Sequence, residues 1–163
     1  MYSCIDERQV VEMKDTFDTE NPRKVWMGLL AKAPEGRVSQ LLDTHLTRPS
    51  FTWLRAPEIG STMVQGRAGG TGAPFNLGEV TVTRCALTLA TGEVGHAYIQ
   101  GRSKADAEAA ALIDAMMQTT QADDVRAAVL SPLETEAMAR KTHRAAKAAA
   151  TKVDFFTMVR GDD

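Results

Sequence analysis

The stretch Glu79-Val-Thr-Val-Thr-Arg-Cys-Ala-Leu-Thr-Leu89, with Val94-Gly-His-Ala-Tyr-Ile-Gln100 after a short break, decides the fold of this chain. Val80, Thr81, Val82 and Thr83 are β-branched, and Leu87 and Leu89 continue the run with period two. Thr91-Gly92 lies between the two segments as a turn signal. The pattern predicts an antiparallel hairpin over 80–89 and 94–100. On its second strand Gly95, Ala97, Ile99 and Gly101 share one face. Side chains that small let a helix approach the sheet closely.

Upstream, Phe51-Thr-Trp-Leu-Arg55 and Ser61-Thr-Met-Val-Gln65 read as short strands around Pro57 and Gly60. The expectation is an antiparallel sheet of about four strands, near 51–55, 61–66, 79–89 and 94–101. Helices flank it. Asn21-Pro22 supplies an N-cap and a proline at the first helical position, so a helix spans roughly 22–33. Pro34-Glu-Gly36 ends it, and Val38, Leu41, Leu42 and His45 space a second helix that stops before Pro49. After the hairpin, Ser103-Lys-Ala-Asp106 resembles a capping box. Ala105, Ala109, Leu112, Ile113, Met116 and Met117 then form one apolar stripe, which predicts a helix over about 104–119. Ser131-Pro132 marks the start of a last helix running through Met138, Ala145, Ala149 and Val153. Helices, strands, then helices indicate an α+β fold with an antiparallel sheet. Residues 1–20 read as an extension and 21–163 as one domain with a C-terminal docking tail.

Composition narrows the function classes. The chain has 163 residues, long enough for a real core. Its net charge of −2 provides no general field for nucleic acid or membrane. Cys4 and Cys85 lack CxxC spacing, which fits a reducing compartment. The N-terminus has no basic segment followed by an apolar run, and no run approaches the roughly 20 residues of a membrane span. These features predict a cytoplasmic protein. His45, His96 and His143 have no ligand spacing, so no metal site is expected. The basic residues of the last helix, Arg140, Lys141, Arg144, Lys147 and Lys152, lack the interleaved aromatics of a nucleic-acid surface.

Two features carry candidate binding chemistry. In Arg67-Ala-Gly-Gly-Thr-Gly72, residues Gly69, Gly70, Thr71 and Gly72 form a loop whose N–H groups can turn toward an anion. Arg67 enters it, Arg84 lies on the next strand and Arg102 ends the hairpin. The loop leads into a strand and lacks GxxxxGK[ST], so it is neither a Walker A nor a dinucleotide fingerprint. Composition alone favours a structural turn. In a regular strand, Arg84 shares a face with Val80, Val82 and Ala86, and burial there requires an anionic partner. A β-bulge that turns Arg84 to solvent is the alternative. The second feature is the chain end, Val153-Asp-Phe-Phe-Thr-Met-Val-Arg160. Val153, Phe155, Phe156, Met158 and Val159 are each worth about 1.5–3 kcal/mol on burial. With Arg160 they predict a docking segment, for a partner or for the chain's own core.

Three blocks resemble the PhnG family, the G subunit of the bacterial carbon–phosphorus lyase core complex. They are Gly69–Cys85, then Gly95–Arg102 with Ala109–Met116, and Val153–Asp162, in the family's order over about 23–162. The resemblance implies a phosphonate-utilisation protein that joins subunits H, I and J in a symmetric hetero-oligomer. With subunits H, I and L it implies support for the step in which phosphonate displaces adenine from ATP, giving ribose 1-phosphonate 5-triphosphate. It implies that ATP is a substrate of the assembled complex, and that nucleosidase-type chemistry resides in subunit I. Radical S-adenosylmethionine and iron–sulfur chemistry would reside in subunit J. No cofactor belongs to this chain and no catalytic residue is carried over to it. The tail is then expected to meet subunit I. A purely structural scaffold and a stand-alone anion-binding module are the competing readings.

Overall fold

Asn21 opens the first helix by accepting hydrogen bonds from the N–H groups of Arg23 (3.1 Å) and Lys24 (3.4 Å). A computed structural model describes residues 21–151. Helix α1 is Pro22–Ala31. Gly36, with φ 78°, reverses the chain into helix α2, Arg37–His45. Only glycine holds that left-handed conformation cheaply. Helix α2 has no side-chain cap of its own. The Asp106 carboxylate supplies one from another helix, accepting from the Gly36 N–H at 2.6 Å and the Ser39 N–H at 3.0 Å. Val38, Leu41 and Leu42 are thereby held in the core.

The sheet has three strands in the order β1-β2-β3, all antiparallel. They are β1 Phe51–Arg67, β2 Pro74–Leu89 and β3 Val94–Gln100. The α+β class expected from the sequence is therefore present, with one strand fewer. The segments read as separate strands at 51–55 and 61–66 are one element. Pro57, which has no N–H, lies where the pairing with β2 slips, between Arg55 and Glu58. A second slip falls between Trp53 and Arg55. The bulges absorb the proline without ending the strand.

Strands β1 and β2 pair from Phe51↔Leu89 out to Arg67↔Pro74. Strand β3 pairs only with Val82–Thr88. Beyond Val82 the sheet narrows to a two-stranded arm, closed by the loop 68–73.

Helix α3, Lys104–Met116, crosses the core face of the sheet. Ser103 caps it by accepting from the Asp106 N–H at 3.1 Å. Cys85, Leu87, Leu89, Ala97 and Ile99 meet the buried Ala107, Ala111, Leu112 and Ala115. Gly95 permits the closest approach. A Cβ added there would sit 1.9 Å from the Ala111 carbonyl oxygen and 2.9 Å from the Ala115 Cβ.

The last helical segment begins earlier than Ser131. Helix α4, Ala122–Val125, runs through a π turn at Arg126–Leu130 into helix α5, Ser131–Ala149. A proline ring collides with the carbonyl four residues back in a regular α-helix, and the wider π turn just before Pro132 relieves that clash. Leu133 is the only residue of α5 that is fully covered, and Ala139–Ala149 are exposed throughout.

Candidate functional site

The loop at the arm's tip is closed on itself. The Arg67 guanidinium donates to the Gly72 carbonyl at 3.1 Å, and the Gly72 N–H to the Ala68 carbonyl at 2.8 Å. Gly69 and Gly70 have φ of 60° and 83°, and a side chain at position 72 would strike the Ala68 carbonyl at 2.7 Å. Each of these glycines therefore has a conformational or steric reason. Thr71 is exposed between them.

Arg84 follows neither of its two expected courses. Its strand is regular through its pairing with β3, and the slip lies across from it in β1. It shares a face with Val82 and Ala86 but stays 45% exposed, and it pairs with Glu58 directly across the strand at 2.5 Å. Arg67 lies nine residue steps along β1 from that rung. At about 3.3 Å per residue this is roughly 30 Å, so Arg84 and the loop do not converge on one anion. Arg102 is exposed just beyond β3 and joins neither group. Val153, Phe155, Phe156, Met158, Val159 and Arg160 lie outside the described residues.

The buried ionisable groups hold the fold together. Asp114 on α3 has no exposed side-chain surface. Its oxygens accept from Arg23 Nε (3.0 Å) and Nη2 (2.6 Å), from Trp26 Nε1 (3.0 Å) and from the His96 N–H (2.9 Å). One carboxylate thus ties α1, α3 and β3. The Val94 carbonyl, on the outer edge of β3, accepts from Arg23 Nη2 (3.1 Å) and Gln118 Nε2 (2.8 Å). The sequence reading did not single out this group. Its signal was an aspartate in the apolar run Ala109-Ala-Ala-Leu-Ile-Asp-Ala-Met116, a place where a charge must find partners.

Burial acts to raise the Asp106 carboxyl. The N–H bonds from Gly36 and Ser39, with the Ser103 and Ser39 hydroxyls, outweigh it and hold the group below its ordinary value. Burial, with a smaller contribution from Glu108, pushes the Cys85 thiol up to about 12. Cys85 donates to the Ala107 carbonyl at 3.1 Å and is a packing residue. Among the described residues no cluster of His, Cys, Asp or Glu is arranged to hold a metal ion. None of the described helices is long and apolar enough to cross a membrane.

The described surface also exposes large apolar side chains. Met63, Val64, Phe75 and Leu77 are on the arm, with Leu77 at 68% exposure, and Ile59 lies at its base. Adjacent residues of a strand point to opposite faces, so Met63 and Val64 bare apolar surface on both sides. No strand pairs with the outer edge of β1 among the described residues.

The profile of the family described as phosphonate metabolism protein PhnG matches residues 21–161. A relative from Rhizobium meliloti (strain 1021) is 43% identical over 141 residues, covering 86% of this chain and 90% of its own length. It is named alpha-D-ribose 1-methylphosphonate 5-triphosphate synthase subunit PhnG. With the match running from the first helix past the last, this chain belongs to the PhnG family of phosphonate metabolism proteins.

Proposed function

We propose that this chain is an accessory subunit of the phosphonate carbon–phosphorus lyase system. In this reading it supports transfer of the ribose triphosphate moiety of ATP to an alkylphosphonate, with release of adenine. The observation that carries the reading is the 43% identity to a named synthase subunit across 86% of the chain. The interior agrees with an accessory role, because Asp106, Asp114 and Cys85 are all engaged in holding helices and strands. Subunits H, I and J are the proposed direct companions and subunit L a functional one, in the cytoplasm. ATP is bound by the assembly.

Two contacts belong to the proposal. The closed loop of Arg67 and Gly69–Gly72 is a rigid tip that a companion can grip. The tail from Val153 to Arg160 docks on subunit I through its apolar residues. The arginines at 84 and 102 then serve the sheet surface and not the loop.

The test is reconstitution. Mixing ATP, an alkylphosphonate and the companion subunits should release adenine only when this chain is added. The isolated chain should release none. Adenine release at full rate without it would overturn the reading, as would turnover by the chain alone. Deleting 153–163 should leave a cooperative melt but abolish assembly. Loss of the melt itself would assign the tail to the chain's own core.

A further inference from the structure

The arm is built in a way that isolated proteins avoid. Ile59-Gly-Ser-Thr-Met-Val-Gln-Gly66 lies between Glu58 and Arg67 and contains no charge and no proline. It is the outer edge of the sheet, and from Ser61 onward it is one strand of a two-stranded ribbon. Natural edge strands are guarded by lysine, proline, bulges or a covering element, because their unpaired N–H and C=O groups recruit other strands. The lower part of β1 has such guards in Arg55, Pro57 and two bulges. The upper part has only the slip between Val64 and Gln65 near its end. A two-stranded ribbon is also marginal in water unless something packs on it. Among the described residues nothing covers the edge, and apolar side chains are exposed on both faces.

We infer that the arm is an insertion element. A companion subunit of the synthase adds a β-strand along β1 over Ile59–Gly66 and lays apolar surface over both faces of the ribbon. This rests on the subunit reading above. The partner's chemistry follows from the arm's: an extended segment without charge, bordered by apolar side chains. A second copy of this chain pairing β1 with β1 would seal the edge but leave Met63 or Val64 bare on each face. Helix α5, the last described element, has its main contacts with the π turn and α1. Strand addition supplies affinity through main-chain hydrogen bonds, and the alternating side chains supply specificity.

Hydrogen exchange on the full chain, free and in the purified assembly, tests this. Amides of 58–67 should exchange about a hundredfold more slowly in the assembly than in the free chain. The variant carrying Met63→Lys and Val64→Lys changes only exposed positions, so its melting midpoint should match the wild type. It should nevertheless fail to co-purify with co-expressed companions. An assembly whose 58–67 amides exchange at the free rate overturns the inference and leaves the subunit reading standing. Equal protection in the free chain also overturns it, and sizing then tells a second copy from the chain's own tail. A wild-type chain that recovers no companion overturns both.

Discussion

Asp114 illustrates what a carboxylate requires to sit without solvent. Four donated hydrogen bonds replace its water, one pair of them from a guanidinium in fork geometry. Removing one partner of such a pair usually costs about 3–5 kcal/mol, and Arg23 is exposed enough to recover part of that in water. Asp114→Ala should therefore lose about 2–4 kcal/mol in urea unfolding, since Trp26 Nε1 and the His96 N–H are also left unpaired. Gly95→Ala should cost at least as much, at the upper end of the ~1–3 kcal/mol seen for overpacking or beyond it. The obstacle it meets is the backbone of α3 and not the end of a flexible side chain. Asp106 adds a pH signature. Its folded pKa is depressed, so its contribution is present above the unfolded value of about 3.9 and is lost as pH falls through the folded value. Asp106→Asn should be less stable than wild type at pH 7, and the gap should narrow steadily below about pH 4. A gap that is constant across an acid titration would contradict the trans-capping role.

At the scale of elements, the outer half of α5 stands on intrinsic propensity. Nothing among the described residues covers Ala139–Ala149, and alanine is the best helix former. Changing Ala145 and Ala149 to glycine removes about 1 kcal/mol of helix preference at each site. Far-ultraviolet ellipticity should drop while the melting midpoint of the body stays put. Elements of this kind differ in how plainly the sequence announces them. The hairpin of β2 and β3, the α1 cap at Asn21 and the close helix approach at Gly95 are written in local pattern. The joining of 51–55 to 61–66 was not, because Pro57 and Gly60 are breaker signals locally, and only pairing along β2 overrides them. The early start at Ala122 was hidden for a similar reason: Pro132 looks like a helix beginning unless a π turn precedes it. The arm's isolation is likewise a property of where β3 stops, and no single segment reports it. The arginines looked like one site because they fall on successive elements around the loop. A long ribbon separates Arg67 from Arg84.

For the whole molecule, the two edges of the sheet are unlike. On β3 the outward Val94 carbonyl is taken by Arg23 and Gln118, and the outward His96 N–H by Asp114. On β1 no strand is seated among the described residues. The free subunit should for this reason be less soluble than its Met63→Lys, Val64→Lys variant. Light scattering at rising concentration will show it, and equal scattering by the two would mean that the arm is already covered.

In the vocabulary of polymer chemistry, a body whose sheet can grow at one side only is a monofunctional unit. It can join an existing sheet once and then ends it. The side chains that occupy the β3 edge thus do more than stabilise α1. At the Val94–His96 end of that edge they act as a chain terminator, which favours a discrete particle of fixed stoichiometry over a fibre grown from both sides.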